Sequence, residues 1–196
     1  MNSAEPIKKT RDLENIKNYY KDIRPSPRNE LLIIMGLNTA LRISDILALR
    51  WQEVYDFEQR DYKDHINIVE QKTGKTTQIY INNNVLEALH SYKSYLKQKK
   101  YVVNRESFLF AHSNKNVPIS RVQAFRLIKK AADYYDISGV ISCHSLRKTF
   151  GYHAWKQGAS PVLLVTVYNH SSYQVTKRYL GIEQDDKDKI FQEIKL

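Results

Sequence analysis

The pattern of apolar and polar positions predicts a chain built mainly of helices. Leu31 to Met35 are apolar nearly all round a helix that Ser26 caps and Pro27 begins, so this helix is expected at the centre of the core. Helical spacing and capping residues predict further helices: about Leu13 to Asp22, a helix capped by Ser44, Val85 to Leu96, one with a capping box at Ser120 to Gln123, Ser145 to Gln157, one started by Ser160-Pro161, and a terminal helix from Asp186 to Leu196.

The middle of the chain changes to the period of a β-strand. His65 to Val69 and Gln78 to Ile81 alternate between polar and apolar residues, and Lys72 to Lys75 lie between them as a turn. The predicted fold class is therefore α+β, mainly helical, with a small antiparallel hairpin or three-stranded sheet. Repeats and Pro/Gly/Ser-rich linkers are missing from the sequence, which predicts one domain over residues 1–196.

Composition and charge narrow the kind of partner. The 31 Lys and Arg residues exceed the 21 acidic ones and give a net charge of +10, which attracts polyanions such as nucleic acid. A merely soluble basic protein and an acidic membrane surface are the alternatives. The longest apolar run, Leu31 to Leu37, is too short to cross a bilayer, and we expect no membrane partner. The single cysteine, Cys143, fits a reducing compartment, so a cytoplasmic protein is expected, nucleoid-associated when bound to DNA.

Two short segments carry residues suited to binding a phosphate. Arg42 lies between two predicted helices, where a rigid guanidinium can bind two phosphate oxygens. The alternative is a surface arginine or a salt-bridged one, with Asp45 as the suggested partner. His144 and Arg147 are expected to project from one face near a helix start, beside free N–H groups that favour an anion. Leu146 between them is expected to point into the core. An ordinary amphipathic helix start is the alternative here.

The segment from His170 to Tyr179 is the most specific pattern in the chain. Ser171 or Ser172 can cap a short helix that carries Tyr179. Tyrosine is a weak nucleophile near neutral pH because its reference pKa is about 10, so it needs nearby cations and a group that accepts its proton. The chain has 14 tyrosines, and Tyr179 is singled out only by these neighbours.

Lys72, in the predicted hairpin turn, is a candidate proton donor. An oxygen that leaves a phosphate must be protonated as it departs, and an ammonium on a flexible turn can reach it. Lys75 is the rival for this role, and a solvated turn lysine is the alternative for both.

Together these residues resemble the catalytic pattern of tyrosine recombinases, the phage integrase family. The resemblance covers roughly Leu13 to Leu180. It includes the Arg-x-Ser-acidic string at Arg42 to Asp45, the string His144-Ser145-Leu146-Arg147 and the spacing from His170 to Tyr179. It implies the tyrosine recombinase catalytic-domain fold and site-specific recombination of double-stranded DNA by integration, excision or inversion.

The resemblance also implies a role for each residue. Arg42 and Arg147 would bind the scissile phosphate and stabilise its transition state. His144 would take the proton of Tyr179, and His170 would hydrogen-bond a phosphate oxygen. Tyr179 would remain joined to a 3′-phosphate, and this bond would conserve the energy for religation.

The departing 5′-oxygen would receive its proton from Lys72. No metal and no cofactor are expected, because guanidinium groups and imidazoles supply the charge that Mg²⁺ provides in a nuclease. A metal-dependent nuclease is a further alternative.

Three features depart from the family's usual pattern. Tyr168-Asn169 stands where the family usually has Leu-Gly, and Asn suits the left-handed turn that the glycine provides, so the turn is expected to persist. Leu180-Gly181 follows Tyr179, where a further histidine is common. The catalytic pattern begins almost at once, without the separate N-terminal core-binding domain of typical integrases. This predicts a single-domain recombinase resembling fimbrial inversion enzymes, or a catalytic fragment of a longer chain.

The resemblance further implies four protomers on synapsed DNA. Because half of the usual DNA clamp should bind DNA weakly alone, we expect an accessory DNA-bending protein or an accessory arm. The apolar residues after Tyr179, including Phe191 and Ile194, either dock on a neighbouring protomer or pack on their own domain. Two other functions remain as alternatives: relaxation of DNA by a type IB topoisomerase, and a DNA-binding regulator that does not cleave.

Overall fold

The computed structural model of this chain describes residues 4–112, 115–180, 182, 188 and 191–194. Within these ranges the chain is mainly helical, as predicted, and small antiparallel hairpins complete it. The helices are α1 (Thr10–Asn18), a π-helical turn (Tyr19–Ile23), α2 (Pro27–Asn38), α3 (Ile43–Ala48), α4 (Trp51–Val54), α5 (Asn83–Gln98), α6 (Arg121–Tyr134), α7 (Cys143–Lys156), α8 (Pro161–Val167) and α9 (Tyr173–Leu180). Among the described helices, none combines the length and the apolar character that crossing a bilayer requires.

Helix α2 lies at the centre of the core, where it packs against α5 and α7. It begins at Pro27, as predicted, and every residue from Leu31 to Leu37 is buried. Gly36 allows a close approach of α7, because a Cβ at this position would lie 2.6 Å from Cδ1 of Leu146. Leu146 is itself only 1% exposed, which confirms its predicted inward direction. Leu146, one of the two residues between His144 and Arg147, therefore anchors α7 to the core.

The β-structure consists of separate two-stranded sheets in the described part of the chain. The predicted hairpin is formed by β3 (His65–Val69) and β4 (Thr76–Tyr80), which pair antiparallel with His65 opposite Tyr80. The short pairs β1 (Tyr55–Asp56) with β2 (Asp61–Tyr62), and β5 (Ala111–His112) with β6 (Lys115–Pro118), are independent of it. Of the two predicted arrangements, the hairpin is thus the one that forms.

Two predicted helix starts in the first part of the chain are wrong. Helix α1 begins at Thr10, earlier than Leu13, and the π-helical turn continues it. Ser44 does not cap α3, because the N-cap is Arg42, whose carbonyl accepts from the backbone N–H groups of the first turn. The extended backbone of Arg42 follows Ala40, which has a positive φ of 55°. This turn places Arg42 at the helix start.

Helix α7 begins at Cys143, so the predicted start at Ser145 is also wrong. The side chain of Ser142 accepts from the N–H of His144 at 3.2 Å, and Oγ of Ser145 accepts from the N–H of Ser142 at 3.0 Å. Ser145 is thus the N3 residue of a capping box, and Ser142 is the cap. As a result, His144 lies in the first turn of α7, and Arg147 follows one turn later.

The capping box at Ser120 and the helix start at Pro161 are confirmed. The predicted short helix that carries Tyr179 is α9. Most of the predicted terminal helix, Asp186 to Leu196, lies outside the described residues. Residues 191–193 are helical, and Phe191 and Ile194 are 81% and 56% exposed.

Candidate active site

Tyr179 contacts both of the histidines that the sequence singled out. Its hydroxyl is hydrogen-bonded to Nε2 of His144, and the two rings lie 5.1 Å apart between centroids. The ring of His170 lies 4.6 Å from the ring of Tyr179, nearly perpendicular to it at 71°. Helices α7 and α9 therefore bring together three residues from three separate sequence motifs.

The electrostatic surroundings keep His144 neutral. Burial, together with the positive charges of Arg147 and Lys148, lowers the pKa of His144 to about 4. At neutral pH the imidazole is therefore uncharged, and in the tautomer protonated at Nδ1 its Nε2 has the lone pair that accepts a proton. Burial raises the pKa of Tyr179, although Arg147 and Arg42 act in the opposite direction. The tyrosine consequently holds its proton, and a neighbouring acceptor is in contact with it.

Arg147 is fixed by main-chain carbonyl groups. It is 1% exposed, its Nη1 donates to the carbonyl of Ala40, and its Nη2 donates to the carbonyl of Tyr168 at 2.9 Å. The guanidinium carbon lies 4.6 Å from the ring centre of Tyr168 and 6.0 Å from that of Tyr179. Within the described residues, Nε of Arg147 is buried without a partner. The Nε–H group is thus an unpaired donor, among the described residues, on a guanidinium that two carbonyls hold rigidly.

Arg42 forms an ion pair, but not with Asp45. Its Nη1 donates to Oε2 of Glu70 at 2.5 Å, and its side chain is 15% exposed. Asp45 instead accepts, through Oδ1, from the backbone N–H of Gln71 at 3.0 Å. The suggested Arg42–Asp45 salt bridge is therefore wrong. Arg42 and Arg147 are close enough that, after burial, Arg42 is the next cause of the lowered pKa of Arg147.

His170 is held from two sides. Its Nδ1 hydrogen-bonds Oγ1 of Thr176 at 2.9 Å, and its ring stacks on Tyr168 at 5.0 Å and 13°. Burial and the charge of Arg147 lower the pKa of His170 to about 4. The preceding Asn169 has a φ of 51°, so the left-handed turn predicted for this residue is present.

A match to a protein-family model identifies the family of this chain. Residues 9–185 match the model described as the phage integrase family. The chain belongs to the phage integrase family. It is 35% identical over 185 residues to the probable integrase/recombinase YoeC of Bacillus subtilis, covering 94% of this chain and 93% of that protein.

Longer relatives and a solved structure agree with this family. The tyrosine recombinase XerC of Thermodesulfovibrio yellowstonii is 25% identical over 159 residues, which cover 80% of this chain and 50% of XerC. A crystal structure of the XerH site-specific recombinase bound to a palindromic difH substrate superposes with a TM-score of 0.74 at 15% identity, covering 98% of this chain and 54% of XerH. The chain thus has the tyrosine recombinase catalytic fold and spans about half of these two proteins. The topoisomerase and the non-cleaving regulator are not favoured.

Lys72 of this integrase lies in the turn between β3 and β4 and is exposed. Its positive charge is one of those that lower the pKa of His144, so the turn is close to the cluster around Tyr179. Lys75 is exposed in the same turn, where its carbonyl accepts from the N–H of Glu70 at 3.0 Å.

Two residues that lie at the site were not predicted from the sequence. Glu70 is 1% exposed and binds Arg42. Its signal was its position, because it continues the inward-facing alternation of Ile66 and Ile68 and so places an acid on a buried face. Lys148 is 9% exposed, and its Nζ lies 5.5 Å from the ring centre of Tyr179. Lys148 immediately follows Arg147, but only its position beside Tyr179 shows that it belongs to the site.

Proposed function

We propose that this integrase cleaves and rejoins double-stranded DNA at a specific site by forming a covalent bond between Tyr179 and a 3′-phosphate. The observation that carries the proposal is the hydrogen bond between the Tyr179 hydroxyl and Nε2 of His144. A phenol in contact with a neutral imidazole, beside two guanidinium groups, is arranged for proton removal and attack on a phosphate.

Strand cleavage begins when the Tyr179 hydroxyl transfers its proton to Nε2 of His144. The phenolate oxygen attacks phosphorus, the bond from phosphorus to the 5′-oxygen breaks, and Lys72 gives its proton to that oxygen. The products are a phosphotyrosine ester and a free 5′-hydroxyl. Religation is the reverse reaction, in which a 5′-hydroxyl attacks the ester. Exchange of the attacking strand makes the outcome recombination.

The phosphate is bound by Arg42, Arg147 and His170. A trigonal bipyramidal phosphorane carries more negative charge on its oxygens than the starting diester, so fixed cationic donors stabilise it preferentially. Two observations on Arg147 support this role. Its guanidinium is held by the carbonyl of Tyr168, and its Nε has no partner among the described residues. His170, held by Thr176, donates a further hydrogen bond to a phosphate oxygen.

DNA is the partner, and the active assembly is a homotetramer on two synapsed duplexes. The net charge of +10 and the solved complex of XerH with DNA support DNA binding. The exposed Phe191 and Ile194 support docking of the C-terminal segment on a neighbouring protomer. An accessory DNA-bending protein assists assembly on the DNA.

Trapping on nicked suicide DNA tests the chemistry directly. The DNA is taken from the sequence that flanks the integrase gene, and the nick lets the short 5′-hydroxyl strand diffuse away, so the covalent adduct accumulates. The wild type is expected to give a denaturant-resistant adduct, which Tyr179→Phe abolishes and the exposed Tyr173→Phe on the same helix retains. Adduct that persists in Tyr179→Phe would disprove the proposal. Joined products from two duplexes separate recombination from topoisomerase activity.

A further inference from the structure

Glu70 is a buried carboxylate at the end of β3 with donors on both oxygens. Its Oε2 accepts from Nη1 of Arg42 at 2.5 Å and from Oγ1 of Thr73 at 2.9 Å. Its Oε1 accepts from Oγ1 of Thr77 at 3.2 Å and from Nδ2 of Asn169 at 2.8 Å. These four donors come from α3, the hairpin and the turn before His170. The carboxylate therefore joins three segments that carry proposed catalytic residues.

The carboxylate remains ionised in this environment. Burial alone would raise the pKa of Glu70, but the hydrogen bonds from Asn169, Thr73 and Arg42 outweigh it and leave the pKa below its usual value. The negative charge also compensates for two converging arginines, since Glu70 raises the pKa of Arg147 while Arg42 lowers it. A fixed anion between the segments thus lowers the cost of bringing both guanidinium groups to one phosphate.

The ion pair uses only one terminal nitrogen of Arg42. The carboxylate binds at Nη1, and the opposite edge of a guanidinium, formed by Nε and Nη2, can bind two phosphate oxygens. Because four donors hold the buried Glu70, its carboxylate acts as a fixed support and not as a competitor for the phosphate. A second hydrogen bond connects α3 to the same hairpin, because Oδ1 of Asp45 accepts from the backbone N–H of Gln71 at 3.0 Å.

Asn169 supplies a contact that a glycine at this position would lack. Its side chain donates to Oε1 of Glu70 and to Oγ1 of Thr77, both at 2.8 Å. The usual family pattern has glycine here, which satisfies the positive φ but offers no side chain. In this chain the residue before His170 therefore both makes the turn and fixes the acid that binds Arg42.

We infer that Glu70 is a positioning residue for strand cleavage, which orients Arg42 toward the scissile phosphate, and that Asn169 fixes Glu70 in that role. The inference rests on the proposed function, because it concerns the geometry of the same phosphate site. Glu70 itself does not touch the reacting atoms.

Single-turnover cleavage of nicked suicide DNA by Glu70→Gln tests the inference. Loss of a charge-assisted hydrogen bond is expected to slow cleavage at saturating protein by about ten- to a hundredfold, with the half-saturating protein concentration nearly unchanged. Glu58→Gln is the matched control, because it breaks an exposed pair with Arg105 at 2.6 Å and should leave the rate unaltered. A saturating rate equal to that of the wild type overturns the inference.

A double-mutant cycle distinguishes positioning from a general effect on folding. In an Arg42→Ala background, Glu70→Gln is expected to cause no further loss of the slow residual rate, because the residue that it positions is missing. A loss that multiplies with that of Arg42→Ala overturns the inference.

If Glu70→Gln does not fold, Asn169→Gly tests the same inference. Glycine accepts the positive φ, so the turn is retained while one donor to Oε1 is removed. Cleavage is expected to slow severalfold, about three- to tenfold for one hydrogen bond, and an unchanged rate overturns the inference. Absence of adduct in the wild type would instead disprove the proposed function, whereas wild-type adduct with unaffected variants disproves only the role of Glu70 and Asn169.

Discussion

The hydroxyl of Tyr179 is hydrogen-bonded to Nε2 of His144, although the two residues lie 35 positions apart on different helices. Removal of the acceptor should therefore slow cleavage without preventing DNA binding. His144→Ala is expected to lower the single-turnover rate on nicked suicide DNA by about a hundredfold or more, the usual contribution of a general base. His90→Ala, at an exposed histidine of α5, is the control. Equal rates for His144→Ala and the wild type would show that His144 is not the base.

Lys72 and Lys75 can be separated by the leaving group. Lys72→Ala should cleave ordinary DNA slowly, because no acid protonates the departing 5′-oxygen, but should recover on DNA with a bridging 5′-sulfur. Sulfur needs little protonation as it leaves. Lys75→Ala, from the same turn, is expected to show no such selective recovery. Recovery confined to Lys75→Ala would assign the acid to Lys75.

The pKa of His170 predicts a specific loss of stability in acid. The pKa of His170 in the folded chain, about 4, lies below the reference value of 6.5. As the pH falls, the unfolded chain therefore binds a proton at His170 before the folded chain does. The stabilisation is complete above about pH 6.5 and is lost as the pH falls toward 4. His170→Asn should reduce the fall in melting temperature between pH 7 and pH 5. An identical fall in variant and wild type would contradict the burial of a neutral His170.

Arg147→Lys tests the two carbonyl contacts of the guanidinium. A lysine ammonium cannot reproduce the fork that reaches Ala40 and Tyr168. We expect the unfolding free energy to fall by about 2 kcal/mol, measured by urea denaturation, together with a cleavage rate at least about a hundredfold lower. Retention of both values would mean that positive charge alone suffices at this position.

Gly151 controls the position of Tyr168, on which His170 stacks. A Cβ at residue 151 would lie 2.9 Å from ring atoms of Tyr168 and closer still to its hydroxyl, which donates to the carbonyl of Arg147. Gly151→Ala should therefore cost about 1–3 kcal/mol of stability and slow cleavage by displacing His170. Urea denaturation and adduct formation measure the two effects. Gly158→Ala, where a Cβ meets nothing within 4 Å but φ is +93°, separates backbone strain from displacement of Tyr168.

Local physical chemistry made much of the fold predictable. Capping residues and helical spacing depend on neighbours in the chain, so they predicted the helices. The six candidate residues were joined into one set by their resemblance to a family pattern. Helix starts were the least accurate part. At Ser145, for example, two serines in one capping box exchange hydrogen bonds, and the spacing alone did not show which of them is the cap.

The sequence by itself determined which residues are available: a basic chain, a buried central helix, a hairpin turn with two lysines, and Tyr179 on a short helix after His170. Only the tertiary structure decided how they meet. Arg42 pairs with Glu70 and not with its neighbour Asp45, and Asn169 reaches back to the same carboxylate. These contacts join residues that are far apart in the chain. A buried charge in the low-dielectric interior is costly unless it is paired, and the packing of the helices decides which donors are close enough to pair with it.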